Sequence, residues 1–247
     1  MPENLIRKLV DLGPKRLTCV TNTAGTDEFG VGALIKNGQV KRMVTSYLGG
    51  NKRLEREYLA GKLELEMVPQ GTLAEKLRSG GSGIPAFFTR TGVGTIVERG
   101  GLPIKYNDTP AAASPVLQDD GSAPVKNPKP FTGALVPSIV AQPKPVEDFD
   151  GVRYLREESL ICDFGFVKAW KGDTLGNLVF RGTARNFNPD VAKAGTITIA
   201  EVEHLVQPGE IAPDEVHLPG VFVNRVVQGE RYERLIEVPR FSDTPPG

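Results

Sequence analysis

Histidine, cysteine and tryptophan are scarce in this chain: two His, two Cys and one Trp in 247 residues. His204 and His217 lie far in sequence from either cysteine, which gives little support to a nucleophilic triad. Cys19 sits in Leu17-Thr18-Cys19-Val20 and Cys162 in Leu160-Ile161-Cys162, so both read as small buried hydrophobes rather than a disulfide pair, as in a reducing compartment. No run of eighteen apolar residues occurs, which excludes a simple membrane-spanning helix. The basic-then-apolar pattern of a secretory signal is also missing, so Asn107-Asp108-Thr109, a glycosylation sequon, is a chance match. Charge of one sign is lacking too. Thirty basic residues balance thirty acidic ones, leaving no global field to recruit nucleic acid or a membrane surface. The glycine clusters Gly80-Gly81-Ser82-Gly83 and Gly92-Val93-Gly94 complete neither a dinucleotide fingerprint, since Val97 takes the third glycine's place, nor a P-loop.

What is present is an α/β pattern with enough apolar residues, 39%, to build a proper core. Strand-like runs at 17–21, 40–47, 63–68 and 86–89 alternate with helical patterns at 5–12, 51–60 and 72–79, which predicts an open sheet covered by helices. Pro2 and Glu3 suit the first turn of the first helix. Further strand-like runs fall at 152–155, 164–170, 178–180, 197–206 and 216–223. Between the two sets, residues 108–150 are rich in Pro, Ala, Ser and Gly and read as a disordered or surface insertion. Its flanks, 103–106 and 151–155, look like strand ends that pair with each other.

The candidate site residues are amides at strand ends. Gln70, in Val68-Pro69-Gln70-Gly71-Thr72-Leu73-Ala74-Glu75, is expected on a turn between a strand and a helix whose capping box is Thr72 with Glu75. In open α/β sheets such connections are where ligands bind, although a Gln in a Pro-Gly turn is ordinarily just solvated. Asn22, in Thr21-Asn22-Thr23-Ala24-Gly25, closes the first strand and either caps a turn or points to the same ligand edge. The glycines of the two clusters, Gly80, Gly81 and Gly83 with Gly92 and Gly94, permit close approach of backbone N–H groups to a ligand, and tight turns account for them equally well. Asn188 reads as a helix N-cap, Trp170 as core, and Glu201 and Glu203 as a solvated acidic strand face opposite His204 rather than a metal site.

Taken together, Pro2-Glu3-Asn4-Leu5-Ile6, Asn22-Thr23-Ala24-Gly25, Gln39-Val40-Lys41-Arg42-Met43, Pro69-Gln70-Gly71-Thr72-Leu73-Ala74-Glu75, Gly83-Ile84-Pro85-Ala86-Phe87-Phe88-Thr89 and Ala184-Arg185-Asn186-Phe187-Asn188 resemble the family I coenzyme A transferases, in their N-terminal or α-type half. The resemblance spans the chain outside 108–150. It implies an open, largely parallel CoA-transferase sheet, and an enzyme that moves CoA between succinyl-CoA and a 3-oxoacid such as acetoacetate. Another short-chain acid as substrate, or a noncatalytic remnant or binding module, are the alternatives. It further implies coenzyme A as a substrate with no bound cofactor or metal, and a glutamate nucleophile on a C-terminal half or β subunit, for which this chain shows no equivalent motif. By the same resemblance Gln70 is the catalytic residue, an oxyanion donor, while Asn22, Gly25, Gly71 and Gly94 belong to the substrate and CoA pocket. Phe87 and Phe88 are expected to pack. The assembly is expected to be a dimer or heterotetramer, in the mitochondrial matrix or, for a bacterial chain, the cytoplasm. The family's first strand and its Gly-Gly-Phe-Gly type loop precede the Pro-Glu-Asn helix, and this chain is expected to lack them. The family's tandem Asn-Asn reads Asn22-Thr23 here.

Overall fold

The computed structural model describes residues 1–107, 135–230 and 232. In chain order the elements are α1 (Glu3–Leu12), β1 (Leu17–Val20), α2 (Val31–Lys36), β2 (Val40–Thr45), α3 (Lys52–Leu59), β3 (Glu64–Met67), α4 (Gln70–Gly81), β4 (Ala86–Thr89), α5 (Ile96–Arg99), β5 (Pro103–Tyr106), β6 (Pro137–Val140), β7 (Val146–Phe149), β8 (Val152–Glu158), β9 (Cys162–Asp173), β10 (Leu178–Val179), α6 (Asn188–Ala194), β11 (Gly195–Val206) and β12 (Arg225–Gln228). No helix among the described residues is long and apolar enough to cross a membrane.

The open, largely parallel α/β class is as expected, but it is divided among several sheets. β1-β2-β3 is wholly parallel, with Cys19 beside Met43 and Met43 beside Leu65. Its core gathers Ala24, Ile35, Met43, Leu54, Leu63 and Leu65. A second sheet, β10-β9-β11-β12, is parallel except at β10 and packs Val167, Ala169, Ala200 and Val202 against Leu178, Phe180, Ala192 and Leu218. The α4 helix joins the two cores. Its Gly80 and Gly81 let the backbone come so close to Leu160 and Lys193 that a Cβ would lie 2.1 Å and 2.4 Å from their atoms. These two glycines therefore serve helix packing.

The remaining strands form antiparallel sheets β4-β8-β7 and β5-β6. The flanks 103–106 and 152–158 do pair, though not with each other. Their partners β6 and β7 come from the C-terminal part of the Pro-rich stretch, while residues 108–134 and the surface-excursion reading of them lie outside the described residues. Phe88 of β4 packs edge-on to Phe149 of β7 at 5.0 Å.

Four local readings are corrected. Residues 216–223 are not a strand: they hold an isolated antiparallel bridge from Leu218 to Leu178 and a 3-10 turn at Gly220–Phe222, shortly after another at Pro213–Glu215. Pro213 and Pro219 cannot donate to a ladder, which favours turns here. Glu201 is fully buried rather than solvated, and its carboxylate accepts from Asn4 N at 3.0 Å, Leu5 N at 3.2 Å and Asn4 Nδ2 at 2.8 Å. It thus satisfies orphan donors at the positive end of α1. Asn188 does not cap α6. Its Oδ1 accepts from Lys168 N at 3.0 Å and ties the helix to β9. Trp170 is only partly buried, edge-on to His204 at 5.8 Å.

One buried ion cluster links α4 to β8. Glu157, 2% exposed, receives Lys76 Nζ at 2.9 Å and the Lys144 ammonium. Removing the carboxylate leaves a partly buried Lys76 without its counter-charge. Glu157→Ala is expected to destabilise the chain by about 3 kcal/mol, read by urea unfolding.

Neither cysteine is in a disulfide. Burial pushes the Cys19 thiol from its ordinary 9.0 up to about 12. The folded chain keeps this proton where the unfolded chain releases it, so the contribution of Cys19 is complete below pH 9 and is lost as pH rises toward 12. Between those values stability should fall by up to about 1.4 kcal/mol per pH unit from this group. Cys19→Ala is expected to flatten that alkaline slope in urea unfolding at pH 9 to 11, and an unchanged slope would count against this account.

Candidate active site

The carboxyl ends of β1, β2 and β3 meet at one edge of the parallel sheet, and main-chain bonds stitch them together. The Asn22 carbonyl accepts from Thr45 Oγ1 at 3.0 Å, Ser46 N at 3.2 Å and Tyr47 N at 3.1 Å. The Thr45 carbonyl in turn accepts from Val68 N at 2.9 Å, and Thr23 bridges Tyr47 in parallel. Thr45 is fully buried. No sequence pattern marks it, because a threonine near a strand end is an ordinary β-former.

After β3 the chain turns at Pro69, whose φ of −53° and ψ of 139° make it the N-cap of α4. Gln70 is therefore the first helical residue rather than a turn residue, and the Thr72–Glu75 capping box does not form. Pro69 already occupies the cap, ahead of the start that a Thr72 cap would set. Thr72 falls inside the first turn, 3% exposed, its hydroxyl without a hydrogen-bond partner among the described residues. Glu75 turns instead to Arg78 Nε at 3.0 and 2.9 Å, and the hydrogen bond from Arg78 holds its carboxyl below the usual range. The first intrahelical bond runs from Leu73 N to Pro69 O, 2.8 Å. The N–H groups of Gln70, Gly71 and Thr72 are thus left without intrahelical partners.

The two candidate amides are brought together. Gln70 Nε2 donates to Asn22 Oδ1 at 2.9 Å across a separation of 48 residues. Asn22 does not cap its turn by this atom. Gly71 follows Gln70 on the exposed start of α4, with no atom of the described residues beyond its neighbours within 4 Å of where its Cβ would lie. Gly25 is buried three residues beyond Asn22, at a φ of 76° that favours glycine. Gly94 lies on the turn before α5. Its N–H donates to the Glu98 carboxylate at 2.5 Å and its carbonyl accepts from Arg99 Nη1 at 2.9 Å. That N–H and the Arg153 guanidinium hold the Glu98 carboxyl low. A shallow concavity of about 440 Å³ on this side is lined by Arg90, Val93, Gly151, Val152 and Arg153, and includes neither amide.

The loop carrying Asn22 is braced from below. Ala24 O accepts from Gly32 N at 2.8 Å, and Thr26 O from Asn51 Nδ2 at 3.0 Å. Asn51 Oδ1 also caps α3 through Leu54 N at 2.8 Å, and Asp27 Oδ1 accepts from Arg53 N at 2.9 Å. A Cβ on Gly32 would lie 1.7 Å from Thr26 O, so only glycine fits there. Asn51 is legible in the sequence as an N-cap before a helical pattern; its second bond, to the site loop, is not. No cluster of three or more metal-ligating side chains occurs among the described residues. What the edge presents is an uncharged donor set. The second Nε2–H of Gln70 has no partner among the described residues, and it suits an oxygen on which negative charge develops.

A family model described as Coenzyme A transferase matches residues 1–229, and the chain belongs to this family. It is 47% identical over 237 residues to one of the subunits of the probable succinyl-CoA:3-ketoacid coenzyme A transferase of Mycobacterium tuberculosis (strain ATCC 25618 / H37Rv), covering 96% of this chain and 86% of that protein. It is 44% identical over 246 residues to the mitochondrial succinyl-CoA:3-ketoacid coenzyme A transferase 2A of Rattus norvegicus, covering 100% of this chain. The chain spans only 42% of the length of that rat relative. Among solved structures, glutaconate coenzyme A-transferase from Acidaminococcus fermentans shares the fold with a TM-score of 0.67 at 20% identity, over 92% of this chain and 66% of that one.

Asn51→Ala removes both a helix cap and a brace of the site loop. A loss of about 1 to 2 kcal/mol is expected in urea unfolding, with faster amide exchange across residues 22–27.

Proposed function

We propose that this chain is the α-type half of a CoA-transferase that moves CoA between succinyl-CoA and a 3-oxoacid such as acetoacetate, working with a partner half that carries a glutamate nucleophile. The observation that carries the reading is the Gln70–Asn22 amide pair at the carboxyl edge of the parallel sheet, in a chain of this family. The names of the Mycobacterium tuberculosis and rat relatives support the substrate pair, and the former, named as one subunit of its enzyme, supports a separate partner.

In the proposed reaction the partner's glutamate attacks the thioester carbonyl of succinyl-CoA, forming a mixed anhydride and releasing CoA thiolate. The thiolate attacks the glutamyl carbonyl of the anhydride, giving a glutamyl-CoA thioester and free succinate. The acetoacetate carboxylate then attacks that thioester, expelling CoA thiolate and forming a second mixed anhydride, and the thiolate attacks its acetoacetyl carbonyl to give acetoacetyl-CoA and free glutamate. Each attack places negative charge on a carbonyl oxygen, where an N–H of Gln70 serves as donor. An amide suits this role better than a lysine or arginine because it stabilises the oxyanion without forming an ion pair with the resting glutamate. Asn22, Gly25 and Gly71 line the pocket for CoA and acyl group. Gly94 keeps only a place in the neighbouring wall, because Glu98 holds its N–H.

These steps need no cofactor beyond coenzyme A as substrate. The two halves assemble as a dimer or heterotetramer, in mitochondria as the rat relative's name supports, or in the cytoplasm for a bacterial chain. The test is CoA transfer from succinyl-CoA to acetoacetate by this chain, by its glutamate-bearing half, and by the two together. Activity is expected only in the mixture. Gln70→Ala in the assembled enzyme is expected to lower kcat about 10²- to 10³-fold; unchanged turnover would remove the oxyanion role.

A further inference from the structure

Gln70 is a long, exposed side chain at the open start of a helix, which by itself makes a poor preorganised donor. Nothing among the described residues lies within 4 Å of where a Cβ on Gly71 beside it would sit. Among the described residues the only hydrogen-bond partner of the Gln70 side chain is Asn22 Oδ1, at 2.9 Å. Asn22 is itself held rigidly, because its carbonyl accepts from Thr45 Oγ1, Ser46 N and Tyr47 N at 3.0 to 3.2 Å. The loop just beyond is held to Gly32 and Asn51.

We infer that Asn22 is a positioning residue for Gln70: its side-chain oxygen takes one Nε2–H of the amide and so aims the other at the reacting carbonyl. A primary amide nitrogen is planar with its two N–H bonds about 120° apart, so holding one in direction restricts where the second can point. The anchoring of Asn22 is main-chain, which separates the two functions of the residue. Its backbone holds the sheet edge, and its side chain orients the donor. The inference deepens the oxyanion reading of Gln70 and rests on it.

The experiment is a double-mutant cycle on the assembled two-half enzyme, measuring kcat and KM for succinyl-CoA and acetoacetate with Gln70→Ala, Asn22→Ala and both together. Asn22→Ala is expected to lower kcat about tenfold, less than the 10²-fold that a misplacement of about 1 Å costs, with any rise in KM smaller than the fall in kcat. In the Gln70→Ala background the same change is expected to alter kcat by less than about twofold, because no donor remains to be aimed. A tenfold loss in both backgrounds, or a loss confined to KM, would overturn the positioning role while leaving the oxyanion role intact. An unchanged kcat for Gln70→Ala alone would instead overturn the oxyanion reading, and positioning with it. Asn22→Leu, of similar volume and without an acceptor, should reproduce Asn22→Ala, and it carries the test if the alanine variant fails to assemble.

Discussion

The carbonyl of Asn22, with its three donors, is the interaction on which the candidate site depends. Thr45 Oγ1, Ser46 N and Tyr47 N all point to this one oxygen, so the end of β1 cannot shift relative to the end of β2 without breaking several bonds at once. Val68 N, bound to Thr45 O, carries the same constraint to β3 and so to the start of α4. Buried main-chain groups must find partners or cost free energy comparable to a lost hydrogen bond. Here those partners lie on neighbouring strands, and satisfying them brings Gln70 to Asn22.

The α4 helix extends this constraint into the rest of the molecule. Its first residue is Gln70, while its last turn, with Gly80 and Gly81, lies against Leu160 and α6 at distances that only glycine permits. Lys76, midway along, reaches the buried Glu157 of β8. One twelve-residue helix therefore couples the parallel sheet that bears the site to the second core. The charges around it are largely paired. Glu75 faces Arg78, Glu98 faces Arg153, and Glu157 lies between Lys76 and Lys144. What remains at the sheet edge is a neutral pair of amides, a donor set whose electrostatic effect is local and directional.

Much of the architecture is legible along the chain. The alternation of apolar runs with helical patterns over the first ninety or so residues follows from side-chain period, and each predicted element there is present within about two residues of its expected bounds. The amides at positions 22 and 70 stand out for the same reason, since each follows an apolar run. The failures have common causes. Thr72 and Asn188 carry capping chemistry, but Pro69 and the contact with Lys168 decide where the helices start and what the side chains bind. Glu201 reads as a solvated strand residue because its partner, the start of α1, is 197 positions away. The strands β6 and β7 arise in a Pro-rich stretch whose local composition argues against them, and pairing with β5 and β8 overrides that preference.

By itself the sequence determined the class of the chain, the order of its first elements, its motif resemblance to the coenzyme A transferases, and the types of residue available at strand ends. These depend on periodicity and on turn chemistry, which act over a few positions. Only the tertiary structure decided that Asn22 and Gln70 touch, that Gly94 is engaged elsewhere, and that Gly32, Gly80 and Gly81 are places of close approach. Those outcomes depend on which buried donor meets which acceptor once the sheets have packed, and such partners are separated by tens of residues that no local pattern connects.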